Sequence, residues 1–159
     1  MTASSSYIWL RLLANTWTWY GFAQVLFPRI EELTGVCRVS SHLSKQSCYQ
    51  AGFRWTGLDI SGHCFLLSFS SLVITEELGN IHRQFGVRDS LLCSATRGLL
   101  QVLVLVWEGM MVATSLYFHS EIEKVLGVLC AILPWALLYK VGPKLISHLG
   151  RASNKIKIK

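Results

Sequence analysis

The feature that most constrains the fold is the segment Leu99–Phe118, which is apolar almost throughout. It has about 20 residues, the length that a helix needs to cross the roughly 30 Å hydrocarbon core of a bilayer. Hydrophobic residues make up 52% of the 159-residue chain and charged residues only 15%, whereas ordinary soluble domains carry about 25% charged residues. The chain is therefore predicted to be a membrane protein with a single compact domain over residues 1–159.

Three weaker apolar segments accompany this one, at about residues 7–27, 60–78 and 125–141. Each is interrupted, by Arg11 in the first, by Glu76 and Glu77 in the second and by Pro134 in the last. Together the four segments predict an all-α, polytopic membrane helical bundle with about four transmembrane helices. The first segment has no basic region before it, so we expect a span that is retained and not a cleaved signal peptide.

The placement of Lys and Arg predicts the orientation of the spans, because cytosolic connections are enriched in both. Three arginines lie between the second and third spans, and the tail at 142–159 carries five more cations. Both regions are therefore expected to be cytosolic, and the long loop at about 28–59 luminal. The net charge of +6 is explained by this membrane-flanking charge. We expect no nucleic-acid binding, because no surface of interleaved basic and aromatic residues stands out.

Two histidines lie at the ends of neighbouring spans. His63 stands where the second apolar run begins, and His119 stands where the third one ends. If both runs cross a bilayer, the two side chains emerge on the same, luminal side. A neutral imidazole is a good nucleophile near pH 7, and its protonated partner is a good general acid. The pair is therefore predicted to be catalytic, and phosphate-ester chemistry is within its reach.

Polar residues also recur inside the spans at helical spacing. His63, Ser70 and Glu77 share one face of the second span, and a second set shares a face of the third: Gln101, Glu108, Ser115 and His119. Such stripes normally face a bundle interior or a wet cavity, because exposure to lipid is costly. Glu77 and Glu108 are predicted to be structural. For Glu108 the alternatives are a buried hydrogen bond, as the neutral acid, and contact with a ligand.

The five cysteines suggest one structural pair and no metal site. Cys37 and Cys48 both lie in the long luminal loop, where they form either a disulfide or two free thiols. The other three have no metal-ligand spacing, so no metal ion is expected.

The tail ends with the letters KIKIK. Lysines at the third and fifth positions from the end resemble the dibasic signal that returns proteins to the endoplasmic reticulum. The alternative is a basic anchor that binds anionic lipid.

Several segments resemble the fat storage-inducing transmembrane protein family. They are DISGHCFLL at 59–67, SLVITEE at 71–77, YFHS at 117–120, KVLG at 124–127, ELTGVC at 32–37 and SKQSC at 44–48. The likeness runs from about Trp17 to Tyr139. It implies a multi-pass protein of the endoplasmic reticulum membrane, related to lipid phosphate phosphatases and associated with lipid-droplet formation and lipid homeostasis. The family usually has six spans, so the resemblance equates the first span of this chain with the third.

The resemblance also implies an activity and the residues that perform it. The family's proposed reaction is hydrolysis of the diphosphate of fatty acyl-CoA on the luminal side, giving acyl 4′-phosphopantetheine and adenosine 3′,5′-bisphosphate. His119 would be the nucleophile and His63 the acid. Ser61 and the backbone of Gly62 would bind phosphate.

The cationic part of the full phosphatase signature is not found in this chain. Lys45, Arg54 and Lys124 are therefore the predicted phosphate-binding cations, and Glu121 or Glu123 is available to orient His119. No cofactor is expected, and the partners are the acyl-CoA substrate and membrane lipid.

Two other functions remain open from the sequence. In the first, the bundle binds neutral lipid or diacylglycerol without hydrolysis and promotes droplet budding. In the second, the paired histidines hold a haem between two helices. Hydrolysis assays distinguish the first alternative from the enzyme, and absorbance near 400 nm would reveal the second.

Overall fold

Helices dominate the computed structural model, which describes residues 2–38, 44–85, 91–117, 120–145 and 148. Helix α1 (Thr2–Tyr20) continues through a π-helical turn (Gly21–Leu26) into α2 (Phe27–Thr34). The loop unit (residues 36–56) follows, with β1 (Val36–Cys37), α3 (Lys45–Gln50) and β2 (Trp55–Thr56). The remaining helices are α4 (Gly62–Phe85), α5 (Leu91–Tyr117) and α6 (Glu121–Ala136), which ends in a second π-helical turn (Leu137–Val141).

The first helical segment extends further than the sequence predicted. Pro28 was expected to open the luminal loop, but the chain stays helical as far as Thr34. Pro28 directly follows the π-helical turn and lies in the first turn of α2. Its missing backbone N–H removes one hydrogen bond from this continuous helix without ending it. The loop therefore begins at Gly35, and part of it is structured. The strands β1 and β2 pair antiparallel, with Val36 opposite Thr56 and Cys37 opposite Trp55.

Helix α4 is the central helix of the bundle, and Phe65 is the centre of its core. The ring of Phe65 is fully buried and stacks on Phe22 and Phe69, with ring centroids 5.3 and 5.6 Å apart. Phe27 approaches it edge-on at 84°. These aromatic contacts bury much apolar surface. They join α4 to the junction of the first π-helical turn and α2, and so fix the first turns of α4 against the rest of the protein.

The other two long helices differ in how they pack on α4. Buried small or compact residues of α6 face α4: Gly127, Ala131 and Pro134. Helix α5 packs mainly on α4 and leaves large apolar side chains exposed, among them Leu99, Leu105 and Leu116. Exposed apolar surface of this extent is typical of a membrane-facing helix.

Two helical stretches in the described part of the chain are long and apolar enough to cross a membrane. They are Ser94–Tyr117 and Glu121–Leu145, with mean hydropathies of 1.8 and 1.9. The predicted fold class, an all-α membrane helical protein, is confirmed. Helices α1 and α4 occupy the other two predicted spans, and the total of four spans stays a prediction.

Candidate active site

His63 projects from the start of α4, which is anchored by the residue two positions before it. Ser61 is fully buried, and its Oγ accepts a hydrogen bond from the backbone N–H of Cys64 at 3.3 Å. This is the N-cap geometry that Ser favours. His63 itself is exposed, and the space beside Gly62 is open. The structure therefore gives Ser61 a capping role, and its contact with phosphate stays a prediction.

The start of α6 lies directly against this capped end of α4. Ser120 and Glu123 form a capping box, in which the Ser120 N–H donates to Glu123 Oε2 at 2.9 Å. The other carboxylate oxygen, Oε1, accepts from the backbone N–H of Asp59 at 3.3 Å. The backbone carbonyl of Glu123 accepts from the N–H of Ser61 at 3.2 Å. Glu123 thus joins the segment that leads to His63 to the segment that begins right after residue 119.

His119 itself, the predicted nucleophile, lies outside the described residues. The residues on either side of it can be located: α5 ends at Tyr117, and Ser120 caps α6. Because Glu123 contacts both Asp59 and Ser61, the start of α6 is at the same end of the bundle as His63.

A glycine allows this close approach of α6 to α4. A Cβ atom placed on Gly127 would lie 2.6 Å from the carbonyl oxygen of Ser61 and 3.1 Å from Cβ of Cys64. Both neighbours belong to the buried first turn of α4, so neither can move without shifting the helix. Any side chain at 127 would therefore push the His63 end of α4 away from α6.

Lys124 is occupied by contacts within the protein. Its side chain is 9% exposed, and Nζ donates to Glu121 Oε1 at 2.7 Å and to the backbone carbonyl of Ser115. These bonds tie the end of α5 to the start of α6. Lys124 therefore links α5 to α6 from a buried position. Its ion-pair partner is Glu121, a candidate to orient His119. A role for Lys124 in phosphate binding stays a prediction.

The two other predicted cations differ from each other. Lys45 donates to Glu31 Oε2 at 2.6 Å, and this hydrogen bond raises the pKa of Lys45. Arg54 is exposed and lines a cleft of about 800 Å³ in the loop unit. Arg38, which sequence reasoning did not select as a site residue, lines the same cleft. The backbone N–H of Arg38 donates to the carbonyl of Arg54 at 3.4 Å, so the hairpin places both arginines side by side.

A disulfide between Cys37 and Cys48 closes the loop unit. The sulfur atoms are 2.01 Å apart and the Cα atoms 5.8 Å. The disulfide alternative of the sequence analysis is thereby confirmed. The bond fastens α3 to the hairpin and so fixes one wall of the cleft.

The predicted structural role of Glu77 is seen at the other end of the bundle. Its carboxylate lies 2.9 Å from Arg11 Nη2 and accepts from the Tyr139 hydroxyl at 2.9 Å. Asn15 donates to the same hydroxyl at 2.8 Å. These bonds join α1, α4 and the second π-helical turn. Sequence reasoning treated Arg11 only as an interruption of an apolar run, although a charge inside such a run is itself a signal that a partner exists.

The polar stripe predicted for α5 is not buried in the bundle, although Gln101 and Glu108 line a groove beside α4. Gln101, Glu108 and Ser115 are all exposed, because α5 packs on α4 through a different face. Glu108 lies at the edge of that packing face, where it lines an apolar groove of about 440 Å³ between α4, α5 and α6. No hydrogen bond or ion pair to Glu108 is found within the described ranges, so the predicted buried hydrogen bond is not observed.

The described residues also bear on bound metals and haem. Nowhere in the described part of the chain do three or more His, Cys, Asp or Glu side chains come together as a metal site. The haem alternative needs His119 as the second ligand, and that residue is outside the described part.

Comparison with known proteins gives a family and several curated relatives. Residues 2–139 match the family model described as fat storage-inducing transmembrane protein. A Danio rerio protein named acyl-coenzyme A diphosphatase FITM2 is 42% identical over 139 residues, covering 82% of this chain and 54% of that protein. The Homo sapiens protein of the same name is 39% identical over 135 residues, covering 78% and 51%.

A more distant relative extends the comparison to insects. The Drosophila melanogaster protein of that name is 31% identical over 168 residues, covering 82% of this chain and 40% of its own length. The chain spans about half the length of the vertebrate relatives it matches. No solved structure gives a significant match.

Proposed function

Because the chain belongs to the fat storage-inducing transmembrane protein family, we propose that it hydrolyses the diphosphate of fatty acyl-CoA. The products are acyl 4′-phosphopantetheine and adenosine 3′,5′-bisphosphate. The relatives in zebrafish and man are named for this class of activity. In the proposed site, His119 and His63 face one diphosphate from the ends of two neighbouring helices.

The reaction proceeds in two displacements at phosphorus. The His119 imidazole attacks one phosphorus atom, the bridging P–O bond breaks, and His63 donates a proton to the leaving phosphate oxygen. Water then attacks the phosphohistidine, with His63 accepting its proton, and the P–N bond breaks. His63 thus returns to its starting protonation state, and no oxidant or metal enters the balance.

The observation that carries the proposal is the double role of Glu123. Its side chain accepts from Ser120 and Asp59, and its backbone carbonyl accepts from Ser61. These bonds hold Ser120, the residue after His119, against Asp59 and Ser61 in the segment that leads into Gly62 and His63. General acid catalysis and nucleophilic attack on one phosphorus need this kind of fixed separation, since small misplacements of reacting groups cost large factors in rate.

The apolar groove between α4, α5 and α6 is a suitable place for the acyl chain. It is lined by Leu67 on α4, Met111 on α5 and Ile132 on α6, among others. Leu67 lies about one helical turn beyond His63. An acyl chain that enters here would leave its diphosphate at the His63 end of the bundle.

The proposed location is the endoplasmic reticulum membrane, with the active site luminal and the C-terminus cytosolic. Three features support this: the disulfide in the unit beside the site, the basic connections on the opposite side, and the terminal letters KIKIK. Disulfides persist in the lumen and are rare in the cytosol. Hydrolysis of acyl-CoA at this surface would support lipid-droplet formation and lipid homeostasis.

The test is hydrolysis of oleoyl-CoA by the purified, detergent-solubilised chain. We expect wild type to release adenosine 3′,5′-bisphosphate, and the His63→Ala and His119→Ala variants to lose at least about 100-fold in rate. His148→Ala is the matched control, because this histidine is exposed and lies near the C-terminus, after α6. Unchanged release by either dyad variant would contradict the mechanism.

The apolar groove between α4, α5 and α6 also favours a second function, the binding of neutral lipid or diacylglycerol without hydrolysis. The groove of about 440 Å³ is almost wholly apolar, as a site for acyl chains would be under either function. If folded wild type binds diacylglycerol but releases no adenosine 3′,5′-bisphosphate, the binding function is preferred.

A further inference from the structure

A polar cleft of about 800 Å³ adjoins the candidate active site. Its walls come from the end of α2, from α3 and from the hairpin β1–β2. Its lining includes Asp59 and Glu123, the two residues that link the His63 segment to the start of α6. A ligand in this cleft would therefore extend directly toward His63.

Two arginines supply the charge of the cleft. Arg38 and Arg54 both line it, on backbone segments joined by a hydrogen bond of 3.4 Å. Within the ranges that the structure describes, neither guanidinium has an ion pair. Two adjacent, unneutralised guanidinium groups are the ordinary recognition element for phosphate.

The carboxylates that line the cleft are largely engaged elsewhere. Glu31 accepts from Lys45 at 2.6 Å, and Glu123 accepts from two backbone N–H groups. Asp59 also lines the cleft, and its charge is one of those that raise the pKa of nearby Lys45. The positive charge of the cleft lining comes from Arg38 and Arg54, both beside the strands of the hairpin.

Aromatic side chains line the same region. The Trp55 indole is held in place because its Nε1–H donates to the carbonyl of Glu31 at 3.2 Å and its ring lies against Gly35. Tyr49 is exposed on α3 and also faces the cleft. A fixed aromatic surface beside paired arginines suits a purine that carries phosphates, because bases stack on such rings.

We propose that this cleft binds the nucleotide portion of the CoA ester, a purine nucleoside with phosphates at its 3′ and 5′ positions. Arg38 and Arg54 hold the 3′-phosphate, Trp55 and Tyr49 contact the base, and the diphosphate extends past Asp59 toward His63. This inference rests on the proposed function and assigns the substrate's nucleotide to the disulfide-closed loop unit. It also explains why that unit is built onto the segment that begins α4.

The first test measures binding without hydrolysis. Titration calorimetry with adenosine 3′,5′-bisphosphate on the wild-type chain in detergent is expected to show binding about tenfold tighter than with adenosine 5′-monophosphate. The binding should weaken as salt is raised, since ion pairs are screened. Equal affinity for the two nucleotides, or no binding of either, would overturn the proposal, and neither result depends on the folding of a variant.

The second test uses the double variant Arg38→Gln with Arg54→Gln. Its affinity for adenosine 3′,5′-bisphosphate should fall about tenfold or more, while that for adenosine 5′-monophosphate changes little. Arg29→Gln is the matched control, because this exposed arginine lies on α2 outside the cleft, 3.4 Å from Glu32. An equal loss in the control, or no loss in the double variant, would contradict the assignment.

Hydrolysis of oleoyl-CoA by the same preparations separates this inference from the proposed function. The double variant should show a higher KM with kcat nearly unchanged. Hydrolysis without selective nucleotide binding refutes only the assignment of the nucleotide to the cleft. Selective binding without hydrolysis refutes the diphosphatase activity and leaves a nucleotide site.

Discussion

Helix α4 is held at its first turn by backbone groups and a glycine contact, and in its second half by ion pairs between side chains. At the first turn, Ser61 bonds to the Glu123 carbonyl and lies against Gly127. In the second half, Glu77 pairs with Arg11 at 2.9 Å, and Glu76 with Lys140 at 2.7 Å. Backbone bonds and close packing leave little freedom of position, whereas long side chains can follow a helix that shifts.

This difference suggests that the fold fixes the position of α4 at its His63 end. At the far end, the contacts only keep the helices associated. In the proposed mechanism, the His63 end must keep two histidine-bearing segments at a fixed separation for chemistry. The far end has no such demand, and its charges need only be neutralised within or near the membrane. Substitutions at the two ends should therefore affect different measurable properties: rate at one end and stability at the other.

The largest effect is expected from Gly127→Ala. The added Cβ would meet the Ser61 carbonyl at 2.6 Å, so α6 and the start of α4 must separate. We expect oleoyl-CoA hydrolysis to fall about 100-fold, because a displacement near 1 Å has that cost in an active site. Gly109→Ala on α5 is the control, since nothing lies within 4 Å of its Cβ position. Full activity in Gly127→Ala would show that this contact does not position the dyad.

A smaller effect is expected from Glu123→Ala. This change removes the acceptor for the N–H groups of Ser120 and Asp59 but leaves the backbone bond to Ser61. Hydrolysis should fall about tenfold, with a loss of roughly 1 kcal/mol in stability from the broken cap. Glu123→Gln retains an acceptor and should recover much of the rate. The control is Glu32→Ala, an exposed acid on α2, and a rate loss there of similar size would indicate a general electrostatic effect.

The helix caps at the His63 end could have been predicted from the sequence, because their signals are local, although the sequence analysis assigned Ser61 to phosphate and Glu123 to His119. Ser61 directly precedes a helical run, and Ser120 is followed three residues later by Glu123, the pattern of a capping box. The pairing of Cys37 with Cys48 was one of two alternatives that their position in one loop left open. Gly127 was included in the family motif, but its contact with Ser61 depends on two helices far apart in sequence and could not be read from either.

What the sequence missed depends on how elements pack. Periodicity placed Glu108 on a polar face of α5 but could not say which face α4 covers, and the structure leaves Glu108 exposed. Lys124 was predicted to be a phosphate-binding cation. Its buried position depends on a hydrogen bond to the carbonyl of Ser115, which lies on the neighbouring helix α5. Arg38 and Arg54 become neighbours only through strands of two residues each, too short to show an alternating pattern.

The smallest effect on rate is expected at the far end, from Glu77→Gln. The amide keeps an acceptor for Tyr139 and removes the charge that pairs with Arg11. Interhelical polar contacts in membranes contribute about 0.6 kcal/mol on average, so the thermal midpoint should fall by only a few degrees. Hydrolysis should stay within about twofold of wild type. An Arg11→Gln variant and the double variant complete the cycle and isolate the coupling between the two charges.

The informative failure of this prediction is a loss of rate without a loss of stability. Glu77 lies on the same face of α4 as His63, fourteen positions along the chain, which is about 21 Å at 1.5 Å per residue. Over that distance a direct effect on the reacting phosphate is small, because charges beyond a Debye length are largely screened outside the membrane. A large fall in kcat at an unchanged thermal midpoint would therefore mean that α4 moves as a rigid rod between its two ends. In that case the ion pairs would help to position His63, and the two ends would not be independent.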